Sequence, residues 1–170
     1  KRVQDYTQDI LAVVRSNTSP AAMSDKLGDF HANDIADAMP RLTVQERCKL
    51  YRILELDMLS DIFEYTDSDN AAEYVKEMDV KKGAAILSRM ETDALVEVLH
   101  KIDKAKKKLL FELMDDDVRH DIEMIASFDE DEIGSRMTTN CIIIRENLTV
   151  KQAMNSLVEQ AAKNDNISTI

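Results

Sequence analysis

Residues 81–104 read KKGAAILSRMETDALVEVLHKIDK, and they split into two blocks of twelve that align with each other. Ile86 and Val98 fall at the sixth position of their blocks, Leu87 and Leu99 at the seventh, Met90 and Ile102 at the tenth. Spacings of three and four put these residues on one face of an α-helix. Twelve is not a multiple of 3.6, so in one continuous helix the apolar stripe would drift around the axis. Glu91-Thr92-Asp93 also breaks the apolar run in the manner of a turn and a new helix start. The stretch therefore reads as two short helices joined by a tight connection.

The rhythm extends in both directions. From Asn33 to Phe128 the chain divides without a gap into blocks of twelve. The sixth column reads Ala38, Leu50, Ile62, Tyr74, Ile86, Val98, Leu110, Ile122. The seventh is apolar from Met39 through Tyr51, Phe63, Val75, Leu87 and Leu99 to Phe111, and the tenth is mostly so, from Leu42 to Ala126. A helix of two turns is unstable alone. Stacked on its neighbours it buries its stripe, and the repeat then builds a superhelix. The expected fold is all-α: a right- or left-handed superhelix of short stacked helices, about 12 residues per repeat. This phase predicts Leu87, Leu99 and Phe111 buried, and Asp69 and Lys82 exposed. Methionines such as Met78, Met90 and Met114 fall in core columns and read as core filler. Ahead of the blocks, Ser19-Pro20 supplies an N-cap and a first-turn proline, and a helix is expected over about Val3 to Arg15. Thr43-x-x-Glu46 fits a capping box.

The pattern stops at FDEDEIGSRMTTNCIII, residues 128–144. Asp129 to Glu132 form an acidic run, and Gly134 permits a sharp turn. Cys141 to Ile144 reads as a short strand, and Thr149-x-x-Gln152 as a capping box opening a helix to about Ala162. The chain thus divides into an N-terminal helix (1–18), a superhelical domain (19–128), a junction (129–138) and a strand–helix unit (139–170).

Composition narrows the function. Three glycines, two prolines and no tryptophan in 170 residues favour helix over sheet. Charged residues make up 32% and the net charge is −11. That balance disfavours nucleic acid and favours cations or basic partners. The apolar runs are far shorter than the ~18 residues of a spanning helix, and KRVQDYTQDI has no signal-peptide core. The piece is expected to be soluble, either alone or as part of a membrane protein. Cys48 and Cys141 are far apart and read as reduced thiols. His31, His100 and His120 show neither zinc spacing nor a catalytic arrangement, so no enzyme activity is expected. Lys104 and Lys106 to Lys108 form the basic cluster of the chain, read as a solvated face.

Acids recur in the first and fifth columns: Asp57/Asp61, Asp69/Glu73, Asp93/Glu97 and Asp117/Asp121. Like charges four apart on one helix face are mildly destabilising, and a bound cation relieves the cost. Mg²⁺ takes hard oxygen ligands and keeps several waters, so one or two carboxylates suffice. The same acids also read as first-column N-caps and a solvated outer face.

These features resemble the cytosolic N-terminal region of MgtE-type magnesium transporters. The acidic twelve-residue repeats with HANDIAD at 31–37, the junction DEDEIGSRMTT at 129–139, and CIIIRENLTVKQAMNSL at 141–157 carry the resemblance; the last is similar to the opening strand and helix of a CBS motif. It implies a superhelical N domain followed by an incomplete CBS domain, on the cytoplasmic side of a plasma (inner) membrane. It implies a regulatory region that senses Mg²⁺ and gates a channel or transporter, acting with the CBS and transmembrane domains of the same protein, as a homodimer. Asp61, Asp93 and Glu97 align with acids of the family's ion-rich interface, and Gly134 with its junction glycine. Ala94 departs from the family, which often has a second acid there. A rival reading is a helical-repeat interaction scaffold without a metal role, as in flagellar motor-switch proteins.

Overall fold

A computed structural model describes residues 5–126 and 142–161. The twelve-residue blocks each form one helix. Helices α1 (Thr7–Arg15), α2 (Pro20–Leu27) and α3 (Ala32–Ala38) lead through a 3-10 turn at Met39–Arg41 into α4 (Val44–Ile53). Then follow α5 (Leu56–Glu64), α6 (Ser68–Lys76), α7 (Val80–Leu87), α8 (Thr92–Lys101), α9 (Lys104–Leu113) and α10 (Asp116–Ala126). The last described helix is α11 (Val150–Ala161).

From α4 to α10 every helix begins in the twelfth column: Val44, Leu56, Ser68, Val80, Thr92, Lys104, Asp116. The N-caps of α4 to α9 are therefore in the eleventh column, not among the first-column acids. Thr43, Asp67, Asp79 and Asp103 accept backbone N–H bonds there, with Thr43 and Glu46 completing the capping box. A short Asp, Thr or Ser side chain reaches the N2 or N3 amide; Glu55 and Glu91 occupy the same position without such a bond. The first-column acids lie two residues past the cap, in the first turn, where they complement the positive end of the helix dipole. Thr149 and Gln152 likewise bond reciprocally at the start of α11. Helix α1 starts at Thr7 rather than near Val3, because the Asp5 carboxylate accepts from the Thr7 N–H at 2.9 Å and shapes a turn before it.

The helices need few glycines because several end on a buried tenth-column residue. Leu42, Leu54, Ile102 and Met114 are extended C-caps whose side chains tuck into the core, so position ten ends one helix and position eleven caps the next. No described residue has a positive φ.

From α5 on, each helix packs on the one two places later. The helices α1, α3, α5, α7 and α9 form one layer; α2 packs on α4, and α6, α8 and α10 stack in turn on the other side. Between the layers the sixth column is buried throughout, from Ala38 to Ile122, and the seventh from Met39 to Leu99. Such apolar side chains contribute roughly 1.5–3 kcal/mol each when fully buried. Leu87 and Leu99 are buried and Asp69 is exposed, as the phase predicts, whereas Phe111 and Lys82 are each half-buried. At Gly83 an added Cβ would lie 3.3 Å from Leu110 Cδ2 and 3.4 Å from Val75 Cγ1, which lets α7 and α9 approach closely.

A polar clamp joins α4 to the end of α6. Arg47 Nε and Nη2 bond the Glu77 carboxylate at 2.9 and 2.5 Å, Arg47 Nη1 donates to the Leu42 carbonyl, and Tyr51 donates to Glu77 at 2.9 Å. The guanidinium also lies 4.7 Å from the Tyr74 ring centre.

Residues 142–145 have no regular secondary structure, so the expected strand is not formed in its described part. The Gln160 amide instead accepts from the Ile143 N–H and donates to the Ile143 carbonyl, each at 2.9 Å. A side-chain amide thereby meets the two groups that a paired strand would satisfy. Gly134 and the acidic run 129–132 lie outside the described residues.

Candidate functional site

The stacking fixes which acids meet which cations. Arg89 Nε donates to Asp57 at 2.9 Å, and Lys101 Nζ lies 3.0 Å from Asp69. Both pairs join residues 32 apart in sequence. Each joins a first-column acid on α5 or α6 to a ninth-column cation at the end of the helix stacked on it; Asp61, in the fifth column of α5, lies outside that pattern.

Glu64 brings Asp61 and Asp93 into one electrostatic group. Its Oε1 accepts from the Glu91 N–H at 2.7 Å and so ties the end of α5 to the N-cap of α8. In the capping box of α4, that N–H is satisfied by the glutamate three residues on. The equivalent position in α8 is Ala94, and Glu64 reaches across from another helix to do the same. Burial pushes the Glu64 carboxyl up, against the Glu91 N–H, and the negative charges of Glu91, Asp61 and Asp93 push it further. Asp61 and Asp93 thus act on one carboxylate although α5 stacks on α7 and α8 on α6; the link between them is diagonal.

Asp61 is exposed and Asp93 half-buried, its Oδ1 accepting from the Ala94 N–H at 2.9 Å. Asp61 and Glu64 also border a polar cleft of about 460 Å³ shared with Asp29 and His31 from the loop before α3. Glu97 is exposed, and its charge acts on Lys101 beside Asp69, not on Glu64. The structure therefore joins Asp61 and Asp93 and leaves Glu97 on a neutralised part of the surface.

Sequence reasoning missed Glu64, Glu91 and the Arg47–Glu77 clamp. Arg47 had a visible signal, since it interrupts a third column that is otherwise apolar from Ile35 to Leu95. Glu64 had none in its own column; the clue was a helix start at Glu91 with no capping glutamate to follow.

The donors suit a hard cation, being carboxylate oxygens with one imidazole nearby. Among the described residues, however, no group of three or more His, Cys, Asp or Glu side chains is placed to hold an ion. The face attracts cations without enclosing one. Among the same residues, no helix is long and apolar enough to cross a membrane.

Comparison with known proteins gives this face a context. The chain is 25% identical over 139 residues to the magnesium transporter MgtE of Thermus thermophilus, an alignment covering 80% of this chain but only 31% of that protein. The crystal structure of the soluble part of a magnesium transporter is similar with a TM-score of 0.79 at 26% identity, over 95% of this chain and 63% of the other. The cytosolic domain of the Mg²⁺ channel MgtE in complex with ATP shares the fold, with a TM-score of 0.78 at 24% identity, over 88% of this chain and 61% of that one. A family model for the MgtE intracellular N domain matches residues 30–131, which is more than half of the chain and takes in most of the superhelix and its acidic face; the chain belongs to that family.

Proposed function

We propose that this chain is a Mg²⁺-sensing regulatory region that gates a magnesium channel or transporter from the cytoplasmic side of the membrane. The observation that carries the reading is the bond from the Glu91 N–H to Glu64, which links α5 to α8 and gathers the charges of Asp61, Glu91 and Asp93 around one half-buried carboxyl. These carboxylates repel one another, and Mg²⁺ supplies the charge that offsets the repulsion. With few ligands here, the ion keeps most of its waters and is shared with acids of a facing domain. Residues 139–170 are the opening of that CBS domain, after a junction at 129–138 that carries Gly134. The CBS and transmembrane domains of the same protein, in a homodimer, are the partners. An ion that binds better between closely held domains than between separated ones shifts the population toward the compact, closed state.

The test is channel current or Mg²⁺ uptake by the full-length protein across a titration of cytosolic Mg²⁺. Asp61→Ala with Asp93→Ala is expected to leave the pore open at concentrations that close the wild type. Glu97→Ala, away from the group, is expected to change the closing concentration less. A double variant that closes at the wild-type concentration refutes the assignment and leaves the two acids as ordinary helix residues.

A further inference from the structure

A second feature lies at the far end of the superhelix and has nothing to do with the acidic face. The seventh-column seam is buried from Met39 to Leu99, then half-buried at Phe111, and reaches the charged, exposed Glu123 in the last block. There the seam opens into a groove of about 450 Å³ between α8, α9 and α10. Its floor is apolar, made by Val96, Leu99, Phe111 and Ile122, and Lys104 and Lys107 stand on its rim.

Two observations define what fits it. The first is stacking: α5 is covered by α7, α7 by α9, α6 by α8 and α8 by α10, but no described helix stacks in this way on α9 or α10. The groove is thus shaped by a packing rule whose next member is a helix. The second is charge. In a chain of net charge −11, the described residues that line the groove include Lys104, Lys107 and Lys108 against a single acid, Glu123. The Lys106 ammonium is held by the Val75 carbonyl at 2.9 Å and Lys108 lies 3.9 Å from Glu112, but Lys104 and Lys107 form no ion pair with any described residue. Two ammonium groups with no ion-pair partner among the described residues, beside an apolar floor, complement an amphipathic helix whose apolar stripe is bordered by acids.

We propose that the α8–α10 groove is a docking site for an acidic amphipathic helix of a partner protein. The helix lays its apolar stripe over Leu99 and Phe111 and sets carboxylates against Lys104 and Lys107. The site is independent of Mg²⁺ binding at Asp61 and Asp93, so either assignment stands if the other fails.

The experiment uses a fluorescent helical peptide of about four turns, with leucines on one face and glutamates on both borders, and a twin with every glutamate replaced by lysine. Binding is measured by anisotropy and mapped by backbone amide NMR on this chain. The acidic peptide is expected to perturb amides around Val96, Leu99, Phe111 and Ile122, and to bind at least about tenfold more tightly than its twin. Lys104→Glu with Lys107→Glu is expected to abolish that preference while leaving the thermal midpoint unchanged. Equal binding of the two peptides, perturbation on another face, or no binding overturns the proposal. Two further results also overturn it. If the chain self-associates through this end and the double variant does not, the occupant is a second copy. If the chain binds phosphatidylglycerol vesicles through the same lysines and neither peptide, the occupant is a membrane.

Discussion

Replacing Glu64 by glutamine and by alanine should move stability in different directions, and the geometry gives the sizes. Alanine removes the acceptor that holds the Glu91 N–H at 2.7 Å. That donor is the N-cap amide of α8, in a half-buried position with no neighbouring glutamate to replace Glu64. Leaving such a donor unsatisfied costs about 1–3 kcal/mol. Glutamine keeps a carbonyl oxygen at the same reach and removes the charge. The upward shift of the Glu64 carboxyl is the net of all its surroundings, with burial the largest cause and the Glu91 N–H opposing it. The site as a whole therefore disfavours the charge. Glu64→Gln is expected to match or exceed the wild type at neutral pH, within about 1 kcal/mol. Urea denaturation without Mg²⁺ measures both. The pH dependence has a fixed sign. A raised carboxyl keeps its proton in the folded chain at pH values where the unfolded chain has lost it. Its stabilising contribution is full below the unfolded value of about 4.3 and is lost as pH rises through the folded value. The wild type should lose ground to Glu64→Gln across that rise, and Mg²⁺ should return part of it, because a cation favours the charged carboxylate. If glutamine costs as much as alanine, or if the gap between wild type and glutamine does not change with pH, the account of Glu64 as a cap strained by like charge is wrong.

Other changes follow from the same packing. Leu99→Ala, at a fully buried seventh-column position, should cost about 2–5 kcal/mol in denaturant titrations, against less than about 1 kcal/mol for Asp69→Ala on the exposed Lys101 pair. Equal losses would mean that the helices face the other way. Glu77→Ala leaves Arg47, whose side chain is 12% exposed, without its carboxylate and should cost about 3–5 kcal/mol, detectable as a large fall in thermal midpoint. Glu46, held at about 2 chiefly by the Arg15 guanidinium, contributes stability above its unfolded value of about 4.3 and loses it as pH falls toward 2. Arg15→Ala should remove most of that acid-limb slope in a pH series of melts.

The fold was legible because the repeat is local. A face of six, seven and ten is set by the α-helix itself, and Leu50, Ile62, Ile86 and Val98 are buried whatever their partners. Capping was legible at Ser19, Thr43 and Thr149, where the whole signal lies within three residues. It was misplaced at the first-column acids because an aspartate two residues past the cap looks, in sequence, like the cap itself. The eleventh column, Thr43, Asp67, Asp79, Asp103, held the better answer. What periodicity does not specify is the partner across a stack. That needs the offset between helices, and the offset of 32 emerges only when Arg89 is seen on Asp57 and Lys101 on Asp69. Even that offset does not reach Asp61 and Asp93, which lie on α5 and α8 in different layers. They meet only through Glu64, which crosses to the Glu91 N–H because Ala94 offers that amide no capping carboxylate. Glu97, four residues before Lys101, acts on that cation instead. Burial and like charge both raise Glu64, so the acids gathered around it form a group whose balancing charge comes from outside the cluster.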